Sequence, residues 1–141
     1  EKIISLEKKF LGEKHPDVIN TSDWIAFNKL SNDLYEEAEI IFKKNIRLRT
    51  EVLGSMHPDQ DLGFIGLGKI YKYRGLFKKA EEYFLKALKL KQEEDVDPLA
   101  YTSLLELIGD LYLTLNEFEK AEEYLQSSLE IKKKKLKKND S

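Results

Sequence analysis

The phrase Leu11-Gly12-Glu13-Lys14-His15-Pro16-Asp17 returns 42 residues later as Leu53-Gly54-Ser55-Met56-His57-Pro58-Asp59, and Val96-Asp97-Pro98 echoes it a further 40 residues on. A second phrase keeps the same beat: Leu34-Tyr35-Glu36-Glu37-Ala38-Glu39, then Leu76-Phe77-Lys78-Lys79-Ala80-Glu81, then Glu117-Phe118-Glu119-Lys120-Ala121-Glu122. Self-similarity at a period of this size confines the chain to a stack of like units. Each unit is too small to bury a core by itself and is stabilised by its neighbours.

Within one period the apolar residues follow helical spacing. Phe64, Leu67, Gly68 and Tyr71 fall on one face, Gly75 breaks the pattern, and Ala80, Tyr83, Phe84, Ala87, Leu88 and Leu90 define a second amphipathic helix. Pro58 suits the first turn of the first helix, with Asp59 and Asp61 at its positive dipole end. The next period repeats the pattern 41 positions on, with Leu105, Ile108, Gly109 and Tyr112, then Phe118, Ala121, Tyr124, Leu125 and Leu129. Asn116 with Glu119, and Asp33 with Glu36, have the spacing of capping boxes. The first period is degenerate and aligns in two ways. Ungapped, Ile25 and Ala26 take the places of Leu67 and Gly68; with two residues removed from the turn, Phe27 and Asn28 take them and Trp24 matches Phe64. The ungapped register keeps a small residue where the helices meet. Gly68, Gly109, Ala80 and Ala121 are the small residues that allow close helix approach.

The expected organisation is a single array. Residues 1–12 form the second helix of a preceding repeat, 15–53 a degenerate first repeat, 57–93 a second, and 97–138 a third with a basic C-terminal extension. Ile3, Ile4 and Phe10 should then be uncovered, and the chain reads as a piece of a longer array that packs on a further repeat or on another copy. With no cysteine, disulfides and thiolate metal sites are excluded, and a reducing cytoplasmic setting is expected. No apolar run reaches the roughly 20 residues that span a bilayer, so membrane insertion is not expected. Residues 132–138 hold six lysines around Leu136, so although the net charge is −2 the body of the chain is acidic. The lysine run reads first as a solvated prolongation of the last helix. Contact with acidic lipid or nucleic acid, or a nuclear address, are its other readings. An acidic body with no paired aromatic platform makes the array itself a poor nucleic-acid binder.

The set Phe64, Leu67, Gly68, Tyr71, Gly75, Phe77, Ala80, Phe84 and Ala87 resembles the tetratricopeptide repeat, a helix–turn–helix unit. The longer period and the Leu-Gly-x-x-His-Pro-Asp link are similar to the variant in kinesin light chains. The match covers residues 11–131 and is weakest in the first repeat, where Lys29 stands at the tyrosine place. The resemblance implies an all-α, right-handed superhelical array of antiparallel helix pairs: a scaffold that binds a protein, a peptide or a partner helix on its concave face. A regulatory or peptide-sensing segment of a larger signalling protein is the alternative. By family analogy the inner-surface residues are Leu62, Ile65, Lys69, Lys72 and Tyr73 in the second repeat, and Ser103, Glu106, Asp110 and Thr114 in the third. Asn20, Asp23, Phe27, Leu30 and Ser31 correspond in the first if no gap is placed. Lys69, Lys72 and Tyr73 suit an acidic, partly apolar peptide.

Two specific uses of the family do not fit. The places of the chaperone carboxylate clamp hold Asp23, Phe27, Gly66, Ser103 and Leu107, and the kinesin-light-chain asparagine positions hold Trp24, Gly66 and Leu107. His15 and His57 occupy the same place in successive links, which reads as structural rather than as a catalytic pair. Glu81-Glu82 and Glu122-Glu123 share one repeat position expected to face solvent. Gly63, Gly66 and Gly68 fall on one helix, not in a phosphate loop, and no metal spacing or nucleophile motif occurs. No cofactor is implied, and nothing points to an enzyme.

Overall fold

A computed structural model describes residues 2–139; Glu1, Asp140 and Ser141 lie outside the described residues. Among these it has seven α-helices and no strand: α1 (Lys2–Leu11), α2 (Pro16–Ser31), α3 (Tyr35–Leu53), α4 (Asp61–Tyr73), α5 (Phe77–Glu93), α6 (Thr102–Thr114) and α7 (Phe118–Asn139). Short 3₁₀ turns at Pro58–Gln60 and Pro98–Tyr101 lead into α4 and α6. The helices α2 and α3, α4 and α5, and α6 and α7 pack as pairs, and α3 on α4 and α5 on α6 join one pair to the next.

One turn is used three times within the pairs. Asp33, Gly75 and Asn116 adopt φ of 62°, 78° and 60°. The next residue's N–H then donates back to a carbonyl in the last helical turn: Leu34 to Lys29, Leu76 to Tyr71 and Glu117 to Tyr112, each at 2.9 Å. These bonds satisfy orphan carbonyls by a left-handed reversal, which glycine enters freely and Asp or Asn tolerates. The expected capping boxes are therefore corrected. Asp33 and Asn116 end the preceding helix instead of starting the next, because positive φ is incompatible with the extended backbone of an N-cap. Leu34 stands at the N-cap of α3 with no side-chain bond, and the Asp33 carboxylate accepts from the Tyr35 hydroxyl at 3.2 Å.

The links explain the histidines. His15 Nδ1 accepts from the Asp17 N–H and His57 Nδ1 from the Asp59 N–H, each at 3.1 Å, with proline in the first turn. Asp97 does the same for Leu99 at 3.0 Å in the third link. All three cap the first turn of a repeat.

Bare backbone sets the helix spacing. A Cβ added at Gly68 would lie 2.5 Å from Phe84 of its own repeat, and one at Gly109 would lie 2.7 Å from Leu125. Gly66 and Gly63 face the previous repeat instead. The ring of Phe42 occupies the space a Gly66 Cβ would need, and Ile46 Cγ1 would lie 3.0 Å from one on Gly63. The first repeat follows the ungapped register. Ala26 is fully buried in the place of Gly68, whereas Trp24, which the gapped register would set in the core, is 64% exposed. At the N-terminal end, Ile3 and Phe10 are exposed on α1 as expected, but Ile4 is half-buried, because α1 rests on α2 with Thr21 donating to Glu7 at 2.9 Å.

Glu82, Glu122 and Glu123 are exposed, but Glu81 is half-buried beside Tyr112 of the next repeat, a correction to its expected solvent position. Burial first, and then the Glu81 charge, push the Tyr112 phenol up to about 12. Burial also raises Tyr83 and Tyr124. An unfolded tyrosine ionises near pH ~10, so the folded state binds more protons than the unfolded one above that pH. The stability tied to neutral Tyr112 is intact below about pH 10 and lost as pH rises through about 12. Alkaline unfolding followed by circular dichroism should begin in that window, and Tyr112→Phe should move its onset upward. An onset unmoved by the substitution would contradict this.

Candidate functional site

The first helices of the pairs carry the inner-surface candidates. In α4, Lys69 and Tyr73 are exposed, while Leu62, Ile65 and Lys72 are half-buried. In α6, Ser103, Asp110 and Thr114 are exposed and Glu106 is half-buried. Two of those on α4 reach across to a helix of the first repeat. The Lys69 ammonium lies 5.9 Å from the ring centroid of Phe27 on α2, and the Tyr73 ring stacks on Tyr35 of α3 at 4.0 Å, 11° from parallel. The Thr114 hydroxyl donates to the Asp110 carbonyl at 3.1 Å, and the Ser31 hydroxyl donates to the Phe27 carbonyl, also at 3.1 Å. Phe27 and Leu30 pack half-buried against the core.

Asp23 is not on the inner surface. It is fully buried, in a polar network that joins α2, α3 and the start of the second repeat. Asn45 Nδ2 donates to Asp23 Oδ1 at 2.9 Å, and Arg49 Nη2 donates to Asp23 Oδ2 at 2.6 Å and to Asn20 Oδ1 at 3.0 Å. Arg49 Nη1 donates to Gln60 Oε1 at 3.3 Å, and Gln60 Nε2 donates to the Ile46 carbonyl at 3.1 Å and to Thr50 Oγ1 at 3.0 Å. Burial pushes the Asp23 carboxyl up, against the opposing pull of Arg49 and Asn45.

The same three repeat positions are chemically different in each repeat. They hold Asp23, Asn45 and Arg49, then Ile65, Ala87 and Lys91, then Glu106, Ser128 and Lys132. Ile65 packs against the core and Ala87 is fully buried, while Lys91 reaches Asp61 at 2.8 Å. Ser128 donates to Glu106 at 2.9 Å and Lys132 forms an ion pair with it, and together they hold its carboxyl below the usual range. These columns are visible in the sequence once the repeats are superposed. Reading Asn20, Asp23 and Glu106 by family position alone misses them.

The lysine run prolongs α7. Within it, Lys132 is paired with Glu106, and Lys135 with Asp97 at 3.1 Å. Among the described residues, no helix is long and apolar enough to cross a membrane, and no group of three or more His, Cys, Asp or Glu could hold a metal ion.

Comparison with known proteins agrees with this geometry. Tetratricopeptide repeat family models match residues 17–93 and residues 102–135. No curated protein sequence matches the chain. Among solved structures, BtubC (BKLC) from P. vanneervenii is similar at a TM-score of 0.78 and 18% identity, over 92% of this chain and 52% of that one. A kinesin-light-chain-type protein of Podosopora anserina with nearly identical repeats is similar at 0.73 and 18% identity, over 94% of this chain and 64% of that one. The tetratricopeptide domain of Arabidopsis FLU is similar at 0.68 and 22% identity, over 79% of this chain and 91% of that one. The chain thus spans about half the length of BtubC. At these identities the likeness establishes the fold, a right-handed superhelical solenoid of helix pairs. The chain belongs to the tetratricopeptide repeat family, whose stacked helix pairs serve as scaffolds for protein interaction.

Proposed function

We propose that this scaffold holds a peptide or partner helix along the concave face formed by α2, α4 and α6. One observation carries the reading: Lys69 leaves its own helix to lie over Phe27 of the preceding first helix, so successive repeats contribute to one shared, exposed surface. Lys69, Tyr73, Ser103, Asp110 and Thr114 remain exposed on helices whose other faces are spent in the core. A lysine beside a half-buried aromatic ring suits a carboxylate next to an apolar side chain.

Peptide-display selection against the full chain tests this. Selected peptides should bind at least about tenfold more weakly to Lys69→Glu, a loss of about 1.4 kcal/mol, with circular dichroism unchanged. Peptides that bind that variant as tightly as the parent would place the docking surface elsewhere.

A further inference from the structure

Tyr73 has neighbours of the opposite charge to Lys69. Together with Tyr35 it lines an open groove of about 480 Å³ whose other walls are Asp33, Leu34, Glu36, Glu37 and Arg74. Tyr73 is 67% exposed, so the ring face turned away from Tyr35 is open to solvent. The two cations at this edge already have partners: Arg74 is bonded to Glu39 at 2.9 Å and Lys29 to Glu37 at 3.1 Å. Asp33 accepts from Tyr35, and Glu36 is exposed with no ion pair among the described residues. The start of α3 contributes roughly half a positive charge, which the carboxylates of Asp33 and Glu36 outweigh.

The chain itself shows what such ring pairs take. Every other aromatic pair among the described residues has a lysine over one of its rings. Lys69 lies over Phe27, which pairs with both Trp24 and Phe42; Lys86 lies over Phe64 and Tyr83; Lys43 and Lys79 lie over Tyr71; and Lys120 lies over Tyr112. The Tyr35–Tyr73 pair, stacked at 4.0 Å, has none. A ring face with a carboxylate rim attracts a cation through both the quadrupole and the charges.

We propose that the Tyr35–Tyr73 pair and its carboxylate rim bind a lysine or arginine side chain of a basic peptide segment in a partner protein. The inference rests on the scaffold reading above and extends it. The partner carries a cationic residue at the Tyr73 end and a carboxylate towards Lys69, so its charge alternates along α4.

The test is a titration of the full chain with a tetra-arginine peptide, followed by amide chemical shifts. Shifts should concentrate at residues 33–37 and 73–74. Tyr73→Ala, which removes no charge, should weaken binding at least fivefold. Glu36→Lys should do the same, while Lys69→Glu and the remote Glu122→Lys should not weaken it. Equal binding by Tyr73→Ala, or shifts spread over all acidic surfaces, overturns the proposal without bearing on the Lys69 test. If the same amides shift on concentrating the chain without peptide, the site belongs to the lysine run of a second copy, and the assignment to a separate partner fails.

Discussion

Asp23→Ala is expected to lower the stability of the chain by about 3–5 kcal/mol, read as a fall in the denaturant midpoint with unchanged slope. The cause is the Arg49 side chain, which is fully buried and cannot shed its proton. Without Asp23, only the amide oxygens of Asn20 and Gln60 remain to satisfy it. Arg49→Met should cost less, because Asp23 can escape its burial by taking up a proton. Burial already raises that carboxyl, and losing Arg49 removes the strongest opposing pull. A carboxyl whose folded pKa lies above its unfolded value favours the folded state on the acid side, so Arg49→Met should regain stability as pH is lowered through the folded pKa. The second repeat supplies an apolar alternative in Ile65 and Ala87. Asp23→Ile with Asn45→Ala and Arg49→Met, which removes the buried cation together with its partner, should therefore recover most of the loss. If Asp23→Ala is within about 0.5 kcal/mol of the parent, as surface changes are, the network contributes nothing to stability.

Phe42→Ala should cost about 3–5 kcal/mol. The ring is fully buried, meets Phe27 edge-on at 5.0 Å, and closes the joint between the first and second repeats by lying against Gly66. Ile40→Ala, on the same helix but 67% exposed, should change stability by no more than about 0.5 kcal/mol. Equal effects of the two would mean that α3 contributes by its length and not by this contact.

Much of the array is legible in the sequence because stacking repeats the same demand at each joint. Gly68 and Gly109 announce close approach, and Phe64, Leu67 and Tyr71 announce the packed face. Three features are not legible, each for a physical reason. Asp33 and Asn116 are good caps by residue type, and only alignment with Gly75 shows that their backbone must be left-handed. Gly66 lies among glycines with no pattern of their own, and its partner Phe42 is on the preceding repeat, so no reading of one helix pair reveals it. Asp23 is an aspartate at a position where polar residues usually face solvent, and burial becomes tolerable only with Asn45 and Arg49, 22 and 26 residues away. The partner surface is the least legible part. Exposed positions of a packed helix carry no internal constraint, and Tyr73 finds its acidic neighbours through a turn in another repeat.

The joint between the first and second repeats locks where the ring of Phe42 occupies the space a side chain would need at Gly66. A double-mutant cycle between Gly66 and Phe42 measures it. In the parent chain, Gly66→Ala should destabilise by about 1–3 kcal/mol through overpacking. In the Phe42→Ala background the same substitution should become neutral or stabilising, since alanine favours a helix over glycine by about 1 kcal/mol once the space is free. The same effect of Gly66→Ala in both backgrounds would mean that the Phe42 ring does not set this joint.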